Sequence, residues 1–252
     1  MIQYTLPPTN DIQSLSRYRL KGLLIAIAVM GIWASSLIIL FLVDISQLSR
    51  WQLLPFVAWQ TFLYTGLFIT AHDAMHGVVF PDNPKINHLI GKTCLFFYGL
   101  LPYNDLLKNH HRHHQYPATE KDPDFHDGKH TSFLRWYAHF MKGYWNWAPI
   151  IILMIVYNLI YRILGISERN LTYFWVFPSV FSSLQLFYFG TFLPHSMPLS
   201  GYKDPHRAQT ISRPTWLSFI TCYHFGYHEE HHNYPNVPWW QLPSVHKQHN
   251  QK

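Results

Sequence analysis

The chain is expected to fold as an all-α integral membrane protein. About four transmembrane helices would form two hairpins, with one re-entrant or interfacial segment and a cytosolic His-rich cap holding a di-metal site. Three observations predict this. Long apolar runs alternate with polar, aromatic stretches. Only 13% of the 252 residues are charged against 48% apolar, where an ordinary soluble domain carries about 25% charged. Finally, histidines cluster in three boxes with helical spacing.

Residues 1–20 read as a polar N-terminal tail, basic at its end through Arg17, Arg19 and Lys21. Residues 22–43 form an apolar run long enough to cross a bilayer core, and 44–50 a short loop. Residues 53–71 form the second span, with Pro55 in its first turn. His72 and His76 sit where that helix leaves the membrane. Residues 86–101 are apolar but short and carry Gly91, Lys92 and Gly99, which suits a re-entrant or interfacial segment. Residues 133–147 mix Trp and Tyr with Arg135 and Lys142, the composition of a helix at headgroup level. The third and fourth spans are 148–164 and 171–193, joined by a tight loop. The fourth is interrupted by Pro178 and Gly190 and ends at Pro194-His195. Residues 196–245 form the cap, and the whole chain is read as one domain. Cys94 and Cys222 lie in or beside apolar stretches and read as free thiols.

Charge orients the layout. Of the 19 Lys and Arg residues, Arg50, Arg162 and Arg169 fall on one face, which leaves 16 with the termini and the boxes. The positive-inside rule then places termini and boxes in the cytosol. The net charge of +6 comes with no nucleic-acid motif and points to a membrane surface.

The boxes carry the chemistry. His228, His231 and His232 stand at i, i+3 and i+4, so on a helix they share a face. His110, His113 and His114 repeat that spacing, and His72 and His76 are an i, i+4 pair. Eight imidazoles exceed the three protein ligands of a catalytic zinc and match two metal ions. Ligand type alone allows Fe, Zn, Cu or Ni. His111 would face away from its box. The remaining single histidines, such as His88, His126, His130, His139, His246 and His249, read as solvated or hydrogen-bonded side chains.

These boxes resemble those of the membrane fatty-acid desaturase and hydroxylase superfamily. More closely, His72-Asp73-Ala74-Met75-His76-Gly77, Asp122-Pro123-Asp124-Phe125, residues 189–195 and residues 237–243 resemble the bacterial and cyanobacterial β-carotene ketolases. The resemblance spans roughly residues 20–245. It implies a non-haem site with two Fe and dioxygen as co-substrate. The reaction it implies is a keto group placed at carbon 4 of a β-ionone ring, by two hydroxylations and a dehydration. It implies His72, His76, His110, His113, His114, His228, His231 and His232 as ligands. One further ligand is expected near the end of the last span, with His195 the candidate and His224, i−4 from His228 on the same face, its rival. Asp73, Asp122, Asp124, Glu229 and Glu230 are the carboxylates available to orient the ligands. The substrate would be a lipid-soluble carotenoid entering from the bilayer, past Phe68, Phe187, Phe189 and Gly190. No flavin, nicotinamide or haem motif is present, so electrons would come from an external donor such as ferredoxin with its reductase, docked on the basic face. The alternatives are a fatty-acid desaturase or carotenoid ring hydroxylase of the same superfamily and, in another class, a His-rich zinc carrier or sensor.

Overall fold

A computed structural model describes residues 12–197, 201–202 and 205–249. Ten helices are used here: α1 (Ile12–Leu42), α2 (Arg50–Met75), α3 (Pro84–Gly99), α4 (Tyr103–Gln115), α5 (Phe133–Gly143), α6 (Trp147–Ile163), α7 (Glu168–His195), α8 (Thr215–Cys222), α9 (His228–Asn233) and α10 (Leu242–His249). The described residues contain no strand, only a single bridge between Thr210 and Tyr227. Residues 1–11 of the expected tail and parts of the cap lie outside the described residues. Helix α1 starts at Ile12, so the end of that tail is helical.

Among the described residues, three helices are long and apolar enough to cross a membrane: Leu20–Leu42 within α1, then α2 and α7. A fourth crossing exists if α5 and α6, bent by 94° at their junction, count as one. Exposed Leu24, Ile27, Ile38, Leu54, Ile151, Ile155 and Val180 give these helices an apolar outer surface far larger than a soluble protein tolerates. Helix α3 is about 24 Å long at 1.5 Å per residue, short of a bilayer core. It packs along the end of α2 rather than crossing alone.

Helix α2 is the axis. Its second half, from Leu63 to Met75, is almost wholly buried against α1, α3 and α7. It runs four residues past the expected end at Ala71, so His72 lies in its last turn and His76 caps it. Polar ties fix its neighbours in an apolar setting, where an unmet hydrogen bond is costly. Thr65 bonds Ser182 and Gln185 of α7 at 2.9 Å each. Asn87 of α3 donates to the Ala74 carbonyl at 2.7 Å.

Helix α7 corrects the expected fourth span twice. The loop before it is shorter than expected, because Ser167 caps a helix that begins at Glu168. Pro178 and Gly190 do not interrupt it. A π turn at Thr172–Val176 precedes Pro178, and a second at Tyr188–Phe192 precedes Pro194. Proline lacks an N–H and crowds the carbonyl four residues back. The wider π turn takes up that conflict, and the helix continues to His195.

Candidate metal centre

Four elements bring the box histidines together. The end of α2 supplies His72 and its cap His76, the last two turns of α4 supply His110, His113 and His114, and α9 supplies His228, His231 and His232. His195 enters as the last residue of α7. Their nitrogens form two groups, each with all ligand atoms within 4.8 Å. One group is His72, His76, His110 and His231; the other is His113, His195, His228 and His232. His114 lies between, its Nε2 3.0 Å from that of His231 and its ring stacked on His232 at 4.2 Å.

The ring nitrogens face one another at close range, and two of the rings are committed to donate elsewhere. The Nε2 atoms of His113 and His228 each lie 3.2 Å from that of His232, and His195 Nε2 lies 3.0 Å from His228 Nε2. His195 donates through Nδ1 to the Arg207 carbonyl at 3.0 Å. His113 donates through Nδ1 to Asp122 at 2.9 Å. A neutral imidazole carries one proton, so in that form both Nε2 atoms present bare lone pairs. In the other group, buried His72 Nε2 has no partner and His76 Nε2 meets His110 Nε2 at 2.6 Å. Such convergent lone pairs suit a cation in each group.

Protonation follows the same logic. Burial, then repulsion from neighbouring imidazoles, holds His76, His110, His114, His228, His231 and His232 well below the ordinary histidine value. They stay neutral, the form that binds a metal. His113 goes the other way. Burial opposes protonation there, but the Asp122 carboxylate, with Asp124 behind it, raises its value.

An apolar cavity of about 400 Å³ reaches the cluster. Its inner wall includes His72, His110, His113 and His228. Its outer wall includes Ile150 and Leu153 of α6 and Val180 of α7, which is 48% exposed on the lipid-facing side. Phe68, Phe187 and Gly190 line it as expected; Phe189 does not, and packs instead under the guanidinium of Arg213.

The fatty acid desaturase family model matches residues 49–172 and 144–252. A β-carotene ketolase of a Paracoccus species (strain N81106) is 41% identical over 73% of this chain and 75% of its own. A β-carotene 4-ketolase of Haematococcus lacustris is 41% identical over 72% of this chain and 58% of its own. A zeaxanthin 4-ketolase of Chlamydomonas reinhardtii is 33% identical over 94% of this chain and 54% of its own. The chain belongs to the β-carotene ketolases of the fatty acid desaturase family.

For a member of this family, the remaining expected residues divide clearly. His224 is not on the helix of His228. Tyr223 and His224 both take left-handed backbone (φ 48° and 63°), which breaks the chain between α8 and α9 and removes the shared face. The His224 ring packs among Phe219, Tyr227 and Trp239, outside both nitrogen groups. Burial there lowers it to about 4.

Among the carboxylates, Asp122 meets His113 directly and also accepts from the Ala118 and Asp124 amides, each at 2.9 Å. Asp73 lies 3.6 Å from His72 Nδ1 and accepts from the Trp239 amide at 3.1 Å. Asp124 is pushed up to about 6 by burial, with His113 opposing. Its Oδ1 accepts from the Tyr144 hydroxyl at 2.5 Å. Glu230 does not orient a box histidine; it pairs with His246 Nδ1 at 2.5 Å and with Thr210. Glu229 is half-buried and in neither nitrogen group. His111 bonds the Met75 carbonyl at 3.3 Å, apart from its box.

No motif in the sequence marks Arg207. Its carbonyl holds His195, and its guanidinium donates to the Ala118 carbonyl at 2.9 Å. Since the Ala118 amide holds Asp122, Arg207 joins the supports of His113 and His195. Only spatial closeness across 89 positions reveals this.

Proposed function

We propose that this chain is a membrane carotenoid 4-ketolase, converting the C4 methylene of a β-ionone ring to a ketone. The observation that carries the reading is the cavity. It joins a lipid-facing opening to four of the clustered histidines, in a chain whose relatives are named as ketolases.

In this reading the groups His72, His76, His110, His231 and His113, His195, His228, His232 each hold one iron, with His114 between them. When bound, the two irons supply the activation of dioxygen needed to hydroxylate an allylic C–H bond. The chain's residues do the rest. Neutral imidazoles present lone pairs, and Asp122 and the Arg207 carbonyl fix which nitrogen faces inward. Apolar walls keep water out and seat the ring. The first hydroxylation consumes one O2, two electrons and two protons, and yields the C4 alcohol and water. The second repeats this at the same carbon, giving a geminal diol that loses water to the ketone. Electrons arrive from a separate donor such as ferredoxin with its reductase, docking on the basic face. The protein spans the membrane several times with termini and boxes in the cytosol, as the distribution of Lys and Arg favours. The names of the relatives favour ketolation over desaturation or ring hydroxylation on the same scaffold.

Expression in a host that accumulates β-carotene, with pigment analysis, tests the reading. Keto-carotenoids should appear. Their absence, with protein and reductant present, overturns it, and one zinc without iron in purified protein would favour the carrier or sensor.

A further inference from the structure

The cavity contains one charged group that a hydrocarbon ring does not call for. Asp124 lines the wall beside His113, with Tyr144 next to it. Both side chains are half-buried, and the Tyr144 hydroxyl donates to Asp124 Oδ1 at 2.5 Å. Asp124 Oδ2 has no hydrogen-bond partner among the described residues. A polar atom at an apolar wall is costly unless something pairs with it.

The pair is also held rigidly. The Asp124 amide donates to Asp122 at 2.9 Å, and its carbonyl accepts from the indole N–H of Trp136 at 2.9 Å. Tyr144 follows the last residue of α5, at the 94° corner before α6, with its ring against Phe140. Neither side chain belongs to the two four-histidine groups, and an Asp124 oxygen lies within 4.8 Å of the ligand atoms of His113 and Asp122.

We propose that Asp124 and Tyr144 form an alcohol-binding subsite that retains the C4-hydroxylated ring between the two oxygenations. The inference rests on the ketolase reading. The first step turns an apolar ring carbon into a hydroxyl, which is both donor and acceptor. Asp124 Oδ2 accepts from that hydroxyl, while Tyr144, whose own proton goes to Asp124 Oδ1 and whose oxygen also meets the Asn109 side chain, holds the carboxylate in place for it. The starting hydrocarbon gains nothing from the pair, so the subsite favours the half-oxidised ring over the unreacted one. It therefore commits the substrate to a second turnover at the same carbon instead of release as an alcohol.

Tyr144→Phe and Asp124→Asn, expressed in a β-carotene host and assayed after purification, test this. The ratio of 4-hydroxy to 4-keto product should rise about fivefold in Tyr144→Phe, the scale of one lost hydrogen bond. The KM for added 4-hydroxy substrate should rise, while that for the hydrocarbon changes little. Iron content in Tyr144→Phe should match the unsubstituted protein. A purely structural role lowers total turnover at a constant product ratio. An unchanged ratio in both variants, or an unchanged KM for the alcohol, overturns the subsite and leaves the ketolase reading standing. Should Tyr144→Phe lose iron, Asp124→Asn and the KM comparison decide. If the unsubstituted protein makes no C4-oxygenated product, the ketolase reading itself falls.

Discussion

Gly190 and Phe225 share one space. A Cβ on Gly190 would lie 2.1 Å from the Phe225 ring, and that ring stands against His72 at 4.8 Å and His228 at 5.2 Å between centroids. The glycine sits in the second π turn of α7 and lets an aromatic ring from the cap rest on the cluster. Alanine would gain about 1 kcal/mol of helix propensity, yet overpacking costs about 1–3 kcal/mol. The clash wins, because both sides are packed. Gly190→Ala should lose activity by more than about tenfold, with a parallel fall in bound iron, since the displaced ring pushes on imidazoles from both groups. Activity and iron assays on one preparation check this; full activity would mean that Phe225 has room to turn aside.

His195 and His224 give opposite expectations. The first has its Nδ1 fixed by the Arg207 carbonyl and its Nε2 among three other imidazoles; the second packs in an aromatic pocket apart from them. His195→Ala should abolish activity and lower iron content. His224→Ala should keep iron and lose stability only, by about 1–3 kcal/mol for a truncated buried side chain. Metal analysis of the two purified variants separates them, and iron loss from His224→Ala alone would reverse the assignment.

The sequence showed the boxes because i, i+3 and i+4 spacing is a local property, visible without knowing the fold. His195 was visible for a similar reason, as the end of an apolar run. The continuity of α7 was not. Pro178 and Gly190 read as interruptions, and only the geometry shows one π turn before Pro178 and another containing Gly190. His224 leaves the face of His228 because helical spacing does not run through Tyr223 and His224, whose left-handed backbone no periodicity announces. Glu230 stands beside two box histidines in sequence but turns to His246, and Arg207 acts across 89 positions. Long-range partners of this kind carry no pattern in a single sequence.

Asp122 supports more than its charge suggests. Its oxygens hold His113 Nδ1, the Ala118 amide and the Asp124 amide together. Asn keeps the shape but offers one acceptor oxygen and removes the charge that favours an N–H at His113 Nδ1. Asp122→Asn should weaken metal binding about 10–100-fold, the usual effect of removing such a support. Iron titration of metal-stripped protein reads this directly. Affinity equal to the unsubstituted protein would show that the His113 ring is held by packing alone.

Stability at the opposite end of the bundle should be separable from chemistry. Asn170, 3% exposed, donates through Nδ2 to the carbonyls of Leu40 at 2.7 Å and Val43 at 2.8 Å, closing the end of α1. Asn170→Ala leaves both carbonyls without that donor, at about 1–3 kcal/mol. The variant should melt several degrees lower in detergent while activity per iron at low temperature is unchanged.

Acid should act on the metal-free protein through the cluster. Burial holds His76, His110, His114, His228, His231 and His232 below their ordinary value of 6.5. As pH falls through 6.5, the unfolded chain binds protons at these positions and the folded chain does not. Stability is therefore fully present above that value and falls below it, by about 1.4 kcal/mol per pH unit for each group. The melting temperature of metal-stripped protein should drop steeply between pH 7 and 5. His114→Gln, which removes one such group, should flatten the slope. Iron-loaded protein should resist until protons displace the metal. A melting temperature of the stripped protein that does not change across this range would mean that the imidazoles are solvated and the cluster is not closed.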